Sequence, residues 1–356
     1  MKASFTKKLL SWNQKKNKRE MPWKGEKDPY KIWLSEIILQ QTRVEQGLDY
    51  YNRFIHTYPT VIHLANAPDE QVFKLWEGLG YYSRCKNLIR TARFIASELA
   101  GRFPSTYEEI LALKGIGPYT AAAIGSFAFN LPYAVVDGNV FRVLARYAGI
   151  NKDISSTEGK RQFSVLANEL LDKKKPGIYN QAIMDFGAVI CKPQNPLCSG
   201  CPLKKECVAF AKGMVQKLPV KGKKLEKRKR WFYYLLVEYR NKVYVRKRSN
   251  KDIWENLYEF VLLEFDGKKT MGNIKISKEF RSLFRGSGAE VRKMSASYSQ
   301  QLSHQTIEGA FIHLATRRRP ALKDYEEIPF TKLSQLAFPR LISRYLTESG
   351  YPAFER

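Results

Sequence analysis

Residues 191–207 read CKPQNPLCSGCPLKKEC, four cysteines within seventeen residues of a 356-residue chain that holds five. No other stretch constrains the fold so strongly, because thiols this close share a metal group, pair as disulfides or pack as small apolar side chains. The N-terminus, MKASFTKKLLSWNQKKNKRE, has no apolar run of signal-peptide length before charges return, so a cytoplasmic location is expected rather than secretion. In a reducing compartment clustered cysteines are more often metal ligands than disulfides. The spacing C-x6-C-x2-C-x5-C, from Cys191, Cys198, Cys201 and Cys207, suits either a 4Fe-4S cluster or a tetrahedral zinc ion. A single C-x2-C knuckle, with Pro193, Pro196 and Pro202 stiffening the loops, favours the cluster. Cys85 stands apart and is expected to be a small buried apolar residue.

Charge names the partner class. Lys and Arg outnumber Asp and Glu 61 to 34, a formal net charge of +27, which attracts polyanions and makes nucleic acid the leading partner. No stretch is apolar for the length a membrane span needs.

Two domains are expected. Residues 1–211 read as helix after helix, with apolar residues three and four apart and Gly, Pro, Ser and Asp at the breaks. Residues 212–230 carry little apolar periodicity and read as a basic linker. From 231 to 356 the pattern becomes α+β, with a hairpin around Arg240-Asn241-Lys242 and strand-like runs at 257–264 and 308–315.

Within the helical part, STYEEILALKGIGPYTAAAIGSFAF predicts a helix, a Gly-x-Gly hairpin and a second helix. Ser105 with Glu108 forms a capping box for the first, and Pro118 suits the first turn of the second. Gly115 and Gly117 leave room for a backbone phosphate, which the free N–H groups of the following helix can bind without reading bases.

Two carboxyl groups then stand out. Asp28-Pro29 starts a helix on which Glu36 shares a face with Ile32, Trp33, Ile37 and Gln40, so desolvation should let Glu36 hold a proton near neutrality. Asp137 precedes a helix containing Val140, Val143, Leu144 and Tyr147, where N–H groups and the helix dipole favour its anion. An acid paired with an anionic stabiliser suits cleavage of an N-glycosidic bond.

The motifs LSEIILQQT, GLGYYSR, LKGIGPYTA, VVDGNVFRVLAR and MDFGAVICKPQNPLCSGCP, in this order, resemble the adenine-specific branch of the helix-hairpin-helix DNA glycosylase family related to endonuclease III. The resemblance covers nearly the whole chain, since LSHQ within the strand-rich part is also similar to that family. It implies a two-lobed helical domain with a 4Fe-4S loop and a C-terminal domain shaped like the Nudix hydrolases but lacking their metal-binding box. A monomer is expected, acting on double-stranded DNA that carries adenine opposite 8-oxoguanine or guanine.

The resemblance also assigns residues. Glu36 is the acid that protonates adenine at N7, Asp137 the carboxylate that stabilises the sugar, and Tyr119 and Asn139 buttress them. Trp23, Leu39 and Gln181 line the adenine pocket, with Lys24 where the family usually has Arg. Gln41 and Tyr81 fill the gap left by the flipped base, Lys192, Lys204 and Lys205 approach the DNA backbone, and Ser303 and His304 sense 8-oxoguanine. Bifunctional relatives have Lys at the position of Tyr119, so a monofunctional glycosylase is expected. The alternatives are another mismatch-specific or bifunctional glycosylase of the same family, and a non-enzymatic DNA-binding protein with a structural metal.

Overall fold

The computed structural model describes residues 2–21, 23–222, 226–249 and 252–350. The chain forms two compact units, one of Met1–Asn66 with Lys86–Lys223 and the other of Ala67–Cys85 with Lys224–Arg356. Among the described residues, no helix is long and apolar enough to cross a membrane.

The first unit is all helical. Asp28 caps the helix Pro29–Leu39 by accepting from the Tyr30 N–H, and Pro29 takes the first helical position, where its missing donor costs nothing. That helix is buried almost all round, from Tyr30 to Ile38, and packs on Pro118–Ala128. Gly138–Ala148 packs on Pro176–Val189, around a core that includes Phe5, Trp12, Leu144, Phe163, Tyr179 and Phe186. The glycine hairpin joins Tyr107–Ala112 to Pro118–Ala128. Its capping box is made by Thr106 with Glu109, one residue beyond Ser105 and Glu108, because Thr106 has the extended backbone a cap requires and its hydroxyl meets the N3 amide. Gly115 has φ +82, and a Cβ there would fall 2.7 Å from Asn87 Cβ. At Gly117 a Cβ would meet nothing within 4 Å, so its face is open.

The second unit is a seven-stranded mixed sheet. The strands are β1 Arg228–Tyr239, β2 Lys242–Lys247, β3 Tyr258–Phe265, β4 Glu290–Met294, β5 Tyr298–Gln301, β6 Gln305–Ala315 and β7 Glu326–Pro329. Their order is β4-β6-β1-β3-β2-β7, with β5 also paired to β6. The expected hairpin joins β1 and β2, and Arg240 and Asn241 both take positive φ, as a tight two-residue turn requires. The parallel β1–β6 pair runs from Arg228 opposite Gln305 to Glu238 opposite Ala315. Residues 232–237 are buried without a break because both faces are covered. Tyr233, Leu235 and Val237 pack with Ile274, Phe280 and Phe284 of two short helices. On the other face Tyr234 stacks on Phe311, and Phe311 on Tyr345 of the helix Arg340–Glu348.

Two expectations about domain limits change. Residues 67–85, though helical, join the strand-rich unit. Glu77 there accepts from Ser343 Oγ at 2.6 Å and the Phe338 N–H at 3.1 Å, and Lys74 donates to the Leu336 carbonyl at 2.9 Å. Nor is 212–230 a linker throughout. Leu218 is buried, Met214, Val215 and Val220 pack on the helical core, and β1 begins at Arg228. These apolar residues lack helical period because they lie along the core as a loop, with Val220 accepting from the Ile154 N–H.

Candidate active site

Glu36, Asp137, Tyr119, Trp23, Leu39, Gln41, Gln181 and Lys24 all line one cavity of about 520 Å³ in the helical unit. Glu36 projects from the middle of Pro29–Leu39 and is 8% exposed. Burial pushes its carboxyl up to about 7; a hydrogen bond from Tyr119 opposes the shift, and the charge of Asp137 adds to it. The Tyr119 hydroxyl also lies 3.6 Å from Met184 Sδ, but a thioether is a weak acceptor, so the carboxyl takes its proton.

Asp137 is the N-cap of Gly138–Ala148. Its Oδ1 accepts from the Val140 N–H at 2.7 Å, and its Oδ2 from Asn139 Nδ2 at 2.8 Å. Contrary to the expectation from capping alone, its pKa is raised, because burial outweighs the Val140 amide and Asn139, which pull it down. Sequence reading set desolvation against capping as if the two carboxyls lived apart. In the structure they share the desolvation, and only Asp137 has backbone and amide donors to favour its anion.

Asn139 is held in turn, its Oδ1 accepting from Arg142 Nη2 at 2.8 Å. The same guanidinium donates to the carbonyls of Gly187 and Cys191 at 2.7 and 2.6 Å. Arg146, 3% exposed, donates to Cys191 Sγ at 3.4 Å and to the Lys192 and Pro193 carbonyls. Neither arginine was singled out in the sequence. Their signal is the i, i+4 spacing of two cations among the apolar residues of one helix face.

Cys191, Cys198, Cys201 and Cys207 line one small cavity together with Arg146, Lys204 and Phe210. No disulfide joins the four, and burial pushes Cys201 up to about 11. Among the described residues, no three His, Cys, Asp or Glu side chains converge as ligands of a single ion. Glu206 ties the loop to the N-terminal helix through Lys8 at 2.6 Å. Of the three lysines, Lys205 is exposed, Lys192 partly buried, and Lys204 lies over the Phe210 ring at 4.9 Å. Cys85, 0% exposed, is the buried apolar residue expected.

Gln41 and Tyr81 both have positive φ, +58 and +49, in a region non-glycine residues seldom occupy. Gln41 is exposed at the mouth of the cavity. Tyr81 belongs to the second unit, where its hydroxyl accepts from Ser303 Oγ at 3.2 Å. His304 is exposed there, and its carbonyl accepts from the Arg228 N–H.

A desolvated acid beside a capped carboxylate, in a helical fold with an open glycine hairpin, defines the class. Residues 34–169 match the model of the HhH-GPD superfamily base excision DNA repair protein. The helical fold is similar to a thermostable thymine-DNA glycosylase, at 30% identity and TM-score 0.55 over 59% of this chain and 97% of that one. An endonuclease III in complex with DNA shares the fold at 21% identity and TM-score 0.51, over 60% of this chain and 98% of that one. The adenine DNA glycosylase of Buchnera aphidicola subsp. Baizongia pistaciae is 39% identical over 262 residues, 72% of this chain and 73% of that protein. The human adenine DNA glycosylase is 44% identical over 58% of this chain and 39% of its own length. The chain belongs to the adenine DNA glycosylase family.

Proposed function

We propose that this chain is a monofunctional base excision enzyme that hydrolyses the N-glycosidic bond of adenine opposite 8-oxoguanine or guanine in double-stranded DNA. The observation that carries the reading is the pairing of Glu36, pushed up to about 7, with the capped Asp137 on one cavity. Protonated Glu36 gives its proton to adenine N7, which makes the base a neutral leaving group. Asp137 stabilises the positive charge that develops on the sugar, and water adds at C1′. Tyr119, in the hairpin helix, offers no amine for a Schiff base, which supports hydrolysis without strand cleavage. The target base reaches the cavity only by leaving the duplex, and Gln41 and Tyr81 are the side chains to fill the gap.

Four thiols around one cavity, held by Arg146, fit a 4Fe-4S cluster. Cys191, Cys198, Cys201 and Cys207 would hold it, and its ligation would close the loop that carries the exposed Lys205, available to the phosphate backbone. The second unit, a mixed sheet covered by helices on both faces, is compatible with a Nudix-like domain that senses the opposite base through Ser303 and His304. The test is single-turnover base release from duplexes carrying adenine opposite 8-oxoguanine, guanine, cytosine or thymine. Release confined to the first two pairs is expected. Release of thymine from a mismatch instead, the activity named for the thymine-DNA glycosylase, would overturn the reading.

A further inference from the structure

Asp185 is 0% exposed, is not part of the cavity wall, and lies one helical turn beyond Gln181 on Pro176–Val189. Four donors converge on it: Arg19 Nη1 at 2.8 Å, Asn17 Nδ2 at 2.8 Å, Lys24 Nζ at 3.0 Å and Gln181 Nε2 at 3.0 Å. A carboxylate flanked by two cations offers only acceptors, so the Gln181 amide has one orientation available, with Nε2 on Asp185. Gln181 lines the cavity and, among the described residues, its Oε1 has no donor.

We infer that Asp185 is a positioning residue that sets the hydrogen-bonding polarity of the base pocket, by turning Gln181 so that it presents an acceptor and never a donor. The inference rests on the reading of this cavity as the adenine site and adds the means of its selectivity. An acceptor fixed on the wall matches the 6-amino group of adenine, which donates. It opposes a 6-oxo purine, whose oxygen accepts and would leave two acceptors facing each other in a desolvated site. Arg19 and Lys24 also line the cavity, and both are held by the same carboxylate. The charges that face Asp185 are therefore those two cations, and the two remaining contacts are amides.

The test uses the full chain and duplexes carrying adenine, hypoxanthine or unsubstituted purine at one site opposite guanine, with single-turnover rates for each. In Asp185→Asn the new amide can donate to Gln181 Oε1 and turn Nε2 into the pocket. The ratio of hypoxanthine to adenine rates should rise by at least about tenfold, the worth of one hydrogen bond made or opposed, while purine changes much less. Gln181→Leu should raise the same ratio, and adding Asp185→Asn to Gln181→Leu should leave it unchanged, because the carboxylate acts through that amide. A purely structural defect would slow all three substrates alike. Equal losses on the three bases in both single variants would overturn the inference, as would a further shift of the ratio in the double variant. If Asp185→Asn does not fold, an unchanged ratio in Gln181→Leu alone overturns it. Failure of the parent chain to release adenine from any duplex would instead sink the assignment of function.

Discussion

Asn139 donates from Nδ2 to Oδ2 of Asp137 at 2.8 Å, and it has no freedom to turn away, because Arg142 holds its Oδ1 at the same distance. The amide therefore acts on Asp137 as a fixed donor favouring the anion against the burial that disfavours it. Removing it in Asn139→Ala should slow single-turnover base release by about 10- to 100-fold, the range of one charge-assisted hydrogen bond of roughly 1.5–3 kcal/mol. The pH profile carries the sharper signature. Release needs Asp137 ionised, so activity is lost as pH falls through its pKa. Without the amide that pKa rises further, and the acid limb should move to higher pH. An acid limb unmoved in Asn139→Ala would assign that limb to another group.

Glu36 supplies the opposite limb. With its carboxyl raised from 4.5 to about 7 by burial, the protonated fraction falls as pH rises through neutrality, and release should drop about tenfold per pH unit above that point. Glu36→Gln should abolish release while duplex binding, which rests on phosphate contacts, persists. The same shift has a consequence for stability. A carboxyl whose pKa is higher in the folded state contributes nothing adverse below its unfolded value, and costs stability as pH rises through the folded one. The cost approaches on the order of 3 kcal/mol at pH 8.5. Glu36→Gln should therefore unfold at higher denaturant than the parent at pH 8.5 and about equally at pH 4. Equal stabilities at both pH values would show that Glu36 is not the desolvated group the geometry makes it.

Much of this site is legible in the sequence, and the parts that are share a reason. Asp28-Pro29, Pro118 and Asp137 are local signals, since a cap or a first-turn proline acts within four residues of itself. The cysteine loop is local too. What escaped is non-local: Asn17, Arg19 and Lys24 meet Asp185 from more than 160 positions away. Arg142 and Arg146 likewise act on carbonyls of the cysteine loop some 45 positions on. Residues 67–85 read as one more helical stretch because their helices are ordinary. Only the hydrogen bonds of Lys74 and Glu77 to 336–343 reveal the unit they belong to. The capping box shifted by one residue for a smaller reason, as Ser105 and Thr106 offer the same chemistry and the backbone decides between them.

The cysteine loop makes a prediction that needs no DNA. Four thiols around one cavity should give a brown protein with broad visible absorption and about four iron atoms per chain. A colourless, fully active preparation holding one zinc would refute the cluster. If a cluster closes the loop through its sulfurs, Cys198→Ser should lower solubility and DNA affinity together, whereas a loop held by contacts such as Lys8 to Glu206 and Arg146 to the Lys192 carbonyl alone would leave both unchanged.

Under the proposed function Ser303 and His304 recognise the opposite base, and point variants test this more cleanly than truncation. Truncation after residue 227 is a poor test. It would strip Glu77 of the donors at Phe338 and Ser343 and leave the apolar side of 67–85 bare, so loss of function would not speak to recognition. Point variants on the exposed loop avoid this. An 8-oxoguanine differs from guanine by an O8 acceptor and an N7–H donor, which a hydroxyl can distinguish by about 1–3 kcal/mol. Ser303→Ala with His304→Ala should therefore narrow the ratio of rates, and of dissociation constants, between adenine opposite 8-oxoguanine and adenine opposite guanine. The chemistry at Glu36 should survive. Ser303 also donates to the Tyr81 hydroxyl at 3.2 Å, so Tyr81→Phe keeps the ring that would stack in the duplex and removes the partner that orients the serine. If Ser303 reads the lesion from a fixed pose, Tyr81→Phe should narrow the same ratio by a smaller factor. All rates belong at one salt concentration, because phosphate contacts alone would otherwise move both substrates. A ratio unchanged in the double alanine variant would place discrimination in the helical unit and reduce LSHQ to a connection between strands.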